Sequence, residues 1–450
     1  TDAVYKKLPY TVTFNNNNGT STSKIYTSLT MYASKNQKVT LPDVPKVKGY
    51  TNLGWTTEKG ETELEYSAGD TVKITKATQF YAVRRKSNYY TVSYYLGNGS
   101  TNAAYQKLTQ TVEEGTVVIF AKVPARTGYV NQGWSSKKNS EKATAKAKCT
   151  VNKNITLYAV QKKAVQLTFH RCDGSTWQKT TLAKGSSYSL PGVRDAEGYT
   201  FMGWSTKPMQ SVSPQYEAEE KITVNGNVDL YAVVFNRTTE TDLTEDQLPQ
   251  VDIYKYKQVI FVGDSRTEFM ENVLTGMGES ATKNVKFVCS AGKGLDWFTT
   301  TGWAQLYSIV QHDSNSILSK KTAVIFNFGV NDLSKSADYA EYYNWIAPQL
   351  KSKGCELYFM SVNPVNRLML PNAGRADRSE AAVRSFNQYM KANLSSAYTY
   401  IDMYSYLKST GYSFASDHYG TGTVDDGLHY TTRTYKRIFA KCMDSLRVPA

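Results

Sequence analysis

"VIFVGDSRTEFM", Val259 to Met270, decides how the second half of this chain is built. An unbroken apolar run ending in Gly263-Asp264-Ser265 reads as a buried strand, a turn and then a helix. At such a junction an α/β protein collects backbone N–H donors at the carboxyl end of a strand, and reactive groups collect there too. A helix start also favours Ser or Asp simply as a cap. The triplet alone leaves Ser265 either a nucleophile or a capping hydroxyl.

Downstream, the same texture recurs. "KFVCSAG", "TAVIFNFGV", "ELYFMSVNPV" and "YTYIDMY" are further short apolar runs. They alternate with the helical patterns "SADYAEYYNWIAPQLKSKG", "SEAAVRSFNQYMKANLSSA" and "TTRTYKRIFAKCMDSLR". Five buried runs alternating with helices predict a five-stranded parallel sheet covered on both faces, a three-layer α/β domain over residues 255–450.

Upstream lie repeats. "GYTNLGW" ends at Trp55, "GYVNQGW" at Trp134 and "GYTFMGW" at Trp204, and "YAV" follows each, from Tyr81, Tyr158 and Tyr231. An alternating strand precedes each unit: "YTVTF", "YTVSYY" and "VQLTF". Three β-rich modules are expected, at residues 9–86, 87–163 and 164–237. In each, the tryptophan fills a small core; the other role open to it is a sugar-stacking platform. "TTETDLTEDQLPQV" is polar and aperiodic, and residues 238–254 are read as a linker.

At 450 residues the chain exceeds one core, and it is too rich in aromatics, 34 Tyr and 7 Trp among them, for a disordered chain. No apolar stretch approaches a membrane span of ~20 residues. The sequence opens at Thr1, so any export signal is expected to lie outside it. Five scattered cysteines lack metal or CxxC spacing, which argues against a disulfide framework, and no metal or cofactor is expected. The net charge of +14 is concentrated upstream, with +10 in residues 1–250 and +4 in residues 251–450. Two readings stay open: binding of anionic polymers or glycans by the repeats, and a solvated basic surface. No nucleic-acid motif accompanies the charge.

Four marks run in order through the second half: Gly263-Asp264-Ser265, "SAGKGLDWF" with Gly292 and Gly294, "FGVND" with Asn331 and Asp332, and "DDGLHY" with Asp426 and His429. A serine hydroxyl needs an imidazole to take its proton, and the imidazole needs a carboxylate to fix its tautomer. The oxyanion needs preplaced donors, such as a backbone N–H in a glycine loop and a side-chain amide.

These blocks resemble the SGNH (GDSL-type) hydrolases over roughly residues 256–446. The resemblance implies a flavodoxin-like hydrolase fold with Ser265 as nucleophile and oxyanion donor, Asp426 as acid and His429 as base. It assigns the remaining oxyanion donors to Asn331 and to Gly294, with Gly292 as the alternative. Two departures stand out: Arg266 replaces the family's Leu, and the second block lacks its usual Asn. Arg266 either biases the pocket toward anionic or polar substrates or faces solvent; Trp297 either walls the pocket or packs. The repeats, on their G-Y-x-x-x-G-W segment and Tyr-Ala-Val strand, resemble internalin-type B-repeats, small β-grasp-like modules of bacterial surface proteins.

Together these readings point to a secreted or surface-displayed esterase that removes short acyl groups, O-acetyl above all, from carbohydrate or cell-wall polymer. Two alternatives remain: a lipase or phospholipase for longer chains, and a glycan-binding adhesin with an inactive hydrolase-like domain. Activity is expected to rise with pH around ~6.5, the ordinary histidine value, unless neighbours shift it.

Overall fold

In the first repeat, the opening strand Tyr10–Asn15 runs parallel to the closing strand Thr78–Lys86, with Phe14 opposite Phe80. Met31–Ala33 flanks it on one side, and Tyr50–Thr56 pairs antiparallel with the closing strand on the other. A one-turn helix, Lys24–Thr27, covers the sheet, the pattern of a β-grasp. The computed structural model describes residues 9–19, 22–312, 321–414 and 425–446.

Trp55 is fully buried among Phe14, Phe80 and Val12, and its indole N–H donates to the Pro42 carbonyl at 2.8 Å. Trp134 and Trp204 repeat this, donating to Ala121 and Pro191. The repeated tryptophans are therefore core residues, which removes the sugar-platform role for them. The glycine before each has a local reason. At Gly54, with φ +153°, a Cβ would lie 2.2 Å from the Tyr66 carbonyl oxygen, and at Gly203 the equivalent atom lies 2.4 Å from Tyr216.

The chain divides into two compact units, one ending at Ala164 and the other starting at Val165. The first holds two repeats. The second joins the third repeat to the C-terminal domain. The cause is visible in side chains: Met202, Val233 and Phe235 of the third repeat belong to the same buried cluster as Phe261, Met360 and Tyr412. The first repeat carries Leu53, Val83 and Arg85 at the matching places of its motif, and Leu53 is exposed. The segment read as a linker is packed into this cluster through Leu248 and Val251. Glu240, also buried, pairs with Arg437 at 2.8 Å, and buried acid of this kind persists only when paired.

The C-terminal domain runs β1 (Tyr256–Gly263), α1 (Ser265–Met277), β2 (Val285–Cys289), α2 (Trp303–His312), β3 (Lys321–Asn327), α3 (Ser336–Lys351), β4 (Cys355–Met360), α4 (Glu380–Asn393), β5 (Tyr398–Ile401), α5 (Met403–Thr410) and α6 (Thr432–Ser445). All five strands are parallel, in the order β2-β1-β3-β4-β5. Alternate residues of β1 serve opposite faces. Val259 and Phe261 meet α1, α5 and α6, whereas Ile260 and Val262 meet α2, α3 and α4. The strand order reverses between β1 and β3, and open α/β sheets form their crevice at that point, beyond the carboxyl ends of the strands.

Candidate active site

β1 delivers Ser265 to that crevice as the first residue of α1. Asp264 caps the helix, its carboxylate accepting the Arg266 N–H at 3.0 Å. The cap is entirely buried, and burial pushes the Asp264 carboxyl up to about 6. Across the crevice the loop before α6 brings in its acid and base. His429 Nε2 lies 2.9 Å from Ser265 Oγ, and His429 Nδ1 lies 2.6 Å from Asp426 Oδ2. Asp426 Oδ1 accepts the Leu428 and His429 N–H groups, so the Asp-x-x-His spacing closes a turn that seats the acid under the ring.

All three side chains are nearly water-free: Ser265 is 5% exposed, His429 2% and Asp426 0%. Burial pushes the His429 imidazole below its ordinary value, against the opposing pull of the Asp426 hydrogen bond. Burial alone would raise Asp426, but its bonds to the His429 ring and to two backbone N–H groups hold it below the usual carboxylate value. The Phe269 ring packs 4.2 Å from the imidazole, centroid to centroid.

β3 supplies the second wall. Its loop turns at Gly329, where φ is +127° and a Cβ would strike the Phe386 ring at 2.5 Å. Two residues on, Asn331 Oδ1 accepts from Arg378 at 2.8 Å, which fixes the amide orientation; its Nδ2 donates to the Lys293 carbonyl. Lys293 ties the Asn331 turn to the second-block glycine loop. Gly294 faces Asp332 so closely that a Cβ would lie 2.4 Å from its carboxylate, while at Gly292 the same position is open. Asp332 in turn accepts the Leu295 N–H and the Tyr339 hydroxyl, and Glu268 of α1 accepts the Ala291 N–H at 2.6 Å.

Arg266 is not a solvated surface group. It is 3% exposed, and its guanidinium donates to the carbonyls of Leu428, Asn363 and Pro364. The sequence could not show this, because an arginine beside a nucleophile reads alike whichever way it points. Trp297 is half-buried and packs against Phe328 at 6.1 Å. Motif reading missed the loop before α4. There Arg375 Nε approaches Asp426 Oδ2 at 3.2 Å, the same oxygen that His429 holds, and Arg378 also grips the Val330 carbonyl. His418 and the side chain of His312 lie outside the described residues.

Residues 259–442, which carry this whole arrangement, match the GDSL-like lipase/acylhydrolase family. The C-terminal domain is a GDSL-type hydrolase. That family's chemistry is carboxylic ester hydrolysis. Residues 10–83, 90–160 and 166–233 each match the Listeria-Bacteroides repeat domain, and the expected internalin-type B-repeats give way to that family.

Among curated proteins, the chain is 27% identical over 227 residues to one described as a Gly-rich membrane protein of Evansella cellulosilytica. That match covers 50% of this chain and 25% of the relative. A second membrane protein of the same organism is 25% identical over 224 residues, 50% of this chain and 31% of its own length. The chain thus spans a quarter to a third of these relatives. Among solved structures, similarity extends to an acylhydrolase of Bacteroides fragilis, with 16% identity and a TM-score of 0.27 over 45% of this chain and 93% of that one. An acetyl xylan esterase shows 12% identity and a TM-score of 0.30 over 42% of this chain and 100% of its own. Among the described residues, no helix of the GDSL-type hydrolase or of its repeats is long and apolar enough to cross a membrane.

Proposed function

We propose that this protein is a surface-displayed serine esterase that removes short acyl groups, chiefly O-acetyl, from carbohydrate or cell-wall polymer. One observation carries the catalytic half of this reading: His429 bridges Ser265 and Asp426 through its two ring nitrogens, at 2.9 and 2.6 Å. In the reaction, neutral His429 takes the Ser265 proton at Nε2 while Oγ attacks the ester carbonyl. Asp426 holds the tautomer and stabilises the imidazolium. The oxyanion accepts from the Ser265 and Gly294 N–H groups and the Asn331 amide. The imidazolium then protonates the departing alcohol, and a water activated by the same ring releases the acid.

The substrate half rests on context. The repeat family and the description of two relatives as membrane proteins favour a cell surface, where polymer esters are the accessible substrates. The test is hydrolysis of p-nitrophenyl esters from acetate to palmitate by wild type and Ser265→Ala. The expected result is a peak at acetate and a loss in kcat of about 10⁴-fold or more on removing the hydroxyl. A peak at long chains replaces this reading with a lipase. Turnover that survives Ser265→Ala removes Ser265 as nucleophile, and the absence of turnover on every ester favours the adhesin.

A further inference from the structure

The third repeat departs from the other two at one place, and a groove opens there. In the first two repeats the opening strand leads into a one-turn helix whose tyrosine, Tyr26 or Tyr105, is buried in the module core. Tyr105 packs edge-on against Trp134 at 6.0 Å. In the third repeat this helix is replaced by a strand, Thr176–Ala183. Its Trp177 stacks on Trp204 at 5.8 Å and 16°, yet remains 40% exposed. A groove of about 400 Å³ follows, floored by Trp177, Phe201 and Trp204, with the Tyr199 ring, 44% exposed, at its side. Sites for small ligands have this size and this largely apolar lining, with a few polar groups that set orientation.

Here the polar groups are cationic. Arg171 and Arg194 line the groove, and both are exposed. Arg171 donates to the Ser175 hydroxyl and the Thr176 carbonyl, and Arg194 to the Leu368 carbonyl and the Asn372 amide oxygen. All four acceptors are uncharged, and among the described residues neither arginine pairs with a carboxylate. Exposed aromatic faces beside two guanidinium groups that hold no carboxylate in a direct ion pair suit a ring with an apolar face and a carboxylate at its edge. The groove is also tied to the catalytic crevice: Asn372, which Arg194 holds, donates to the Asp425 carbonyl, one residue before Asp426.

We propose that the third repeat, alone of the three, is a binding site for an acidic sugar chain, with Trp177 and Tyr199 as the platform and Arg171 and Arg194 as the carboxylate contacts. Its link to turnover rests on the esterase reading; the binding itself does not.

The test is calorimetric titration of full-length Ser265→Ala with a galacturonic acid oligosaccharide and, in parallel, a neutral xylose oligosaccharide. The acidic chain is expected to bind, more weakly as salt rises. Trp177→Ala should weaken it about tenfold, the scale of one lost aromatic contact, and Trp177→Phe should restore most of the loss. Arg171→Gln should narrow the preference for acidic over neutral sugar. Tyr32→Ala, which removes an aromatic 66% exposed on the first repeat, should change nothing. Absence of acidic-sugar binding, equal binding of the neutral chain, or equal effects of Trp177→Ala and Tyr32→Ala would each overturn the proposal. Wild-type hydrolysis of p-nitrophenyl acetate separates the two readings. Turnover without sugar binding removes only the groove, and groove-dependent binding without turnover removes only the esterase.

Discussion

The first and third repeats share a frame, with a parallel pair formed by the opening and closing strands and one buried tryptophan, but they face different neighbours. Arg84, just after the first Tyr-Ala-Val, binds the Asn52 and Asn16 amides, the Tyr26 hydroxyl and the Pro45 carbonyl, all within its own module. Arg237, shortly after the third, binds Thr200 and Asp195 in its module, but also the Phe414 carbonyl and Asp425 of the hydrolase domain. The faces differ to match. Met202 and Phe235, buried in the cluster shared with the hydrolase domain, stand where the first repeat has Leu53 and Arg85. The first repeat leaves Leu53 exposed and carries a charge at Arg85, whereas the third makes this face wholly apolar and covers it. A repeat's role is therefore set by a few face residues, not by its motif.

The sharpest break in this comparison comes from the tryptophans. Trp55→Ala and Trp204→Ala should each remove about 3–5 kcal/mol of stability from the unit concerned, as large aromatic truncations in a core do. Turnover of p-nitrophenyl acetate should persist in the first and fall in the second, because only Trp204 supports a module packed on the hydrolase domain. Equal turnover in the two variants would mean that the third repeat is as dispensable as the first. Arg237→Ala is next, with an expected loss of about 3 kcal/mol from leaving Asp195 and Asp425 facing each other without their cation. Arg84→Ala removes uncharged bonds only and should cost about half as much; chemical denaturation of both variants measures the difference.

A smaller effect sharpens the joint itself. Burial, followed by the charge of Asp425, pushes the Asp195 carboxyl up to about 7. A folded-state value above the unfolded one means that its protonation stabilises the fold: the contribution is complete below about 3.8 and is lost as pH rises through about 7. Between pH 4 and 7 the melting temperature of wild type should therefore fall more steeply than that of Asp195→Asn. Parallel curves would show that Asp195 does not titrate at the joint. The smallest effect concerns the loop that the third repeat holds. His429 sits below its ordinary value of 6.5, so kcat/KM should rise with pH through a midpoint under 6.5 and then level off. The Arg375 cation contributes to that depression. Arg375→Met should move the midpoint upward, and an unmoved midpoint would exclude Arg375 from tuning the imidazole.

Much of this was legible because parallel sheets announce themselves. Five apolar runs alternating with helices leave little other arrangement, and Ser265, Asn331, Asp426 and His429 sit at strand ends or in a tight turn, where chain order and space agree. What escaped has a common cause. Arg375 and Arg378 act from an irregular loop with no period to betray it, 47 residues from the Asn331 that Arg378 orients. Residues 238–254 read as a linker because their polar letters hide Glu240, which is buried against Arg437. The substitutions Met202 and Phe235 were in plain view. They signal a covered face only when the three repeats are laid over one another.

Arg266 has one further consequence. Its three carbonyl bonds reach the segments at Asn363, Pro364 and Leu428, and it directly follows Ser265 while Leu428 directly precedes His429. Nucleophile and base are thereby stapled through one cation, so neither can drift without breaking the other's anchor. Hydrogen exchange should find the amides of Arg266, Leu428 and His429 opening together at a single rate, as one cooperative piece rather than three fraying ends.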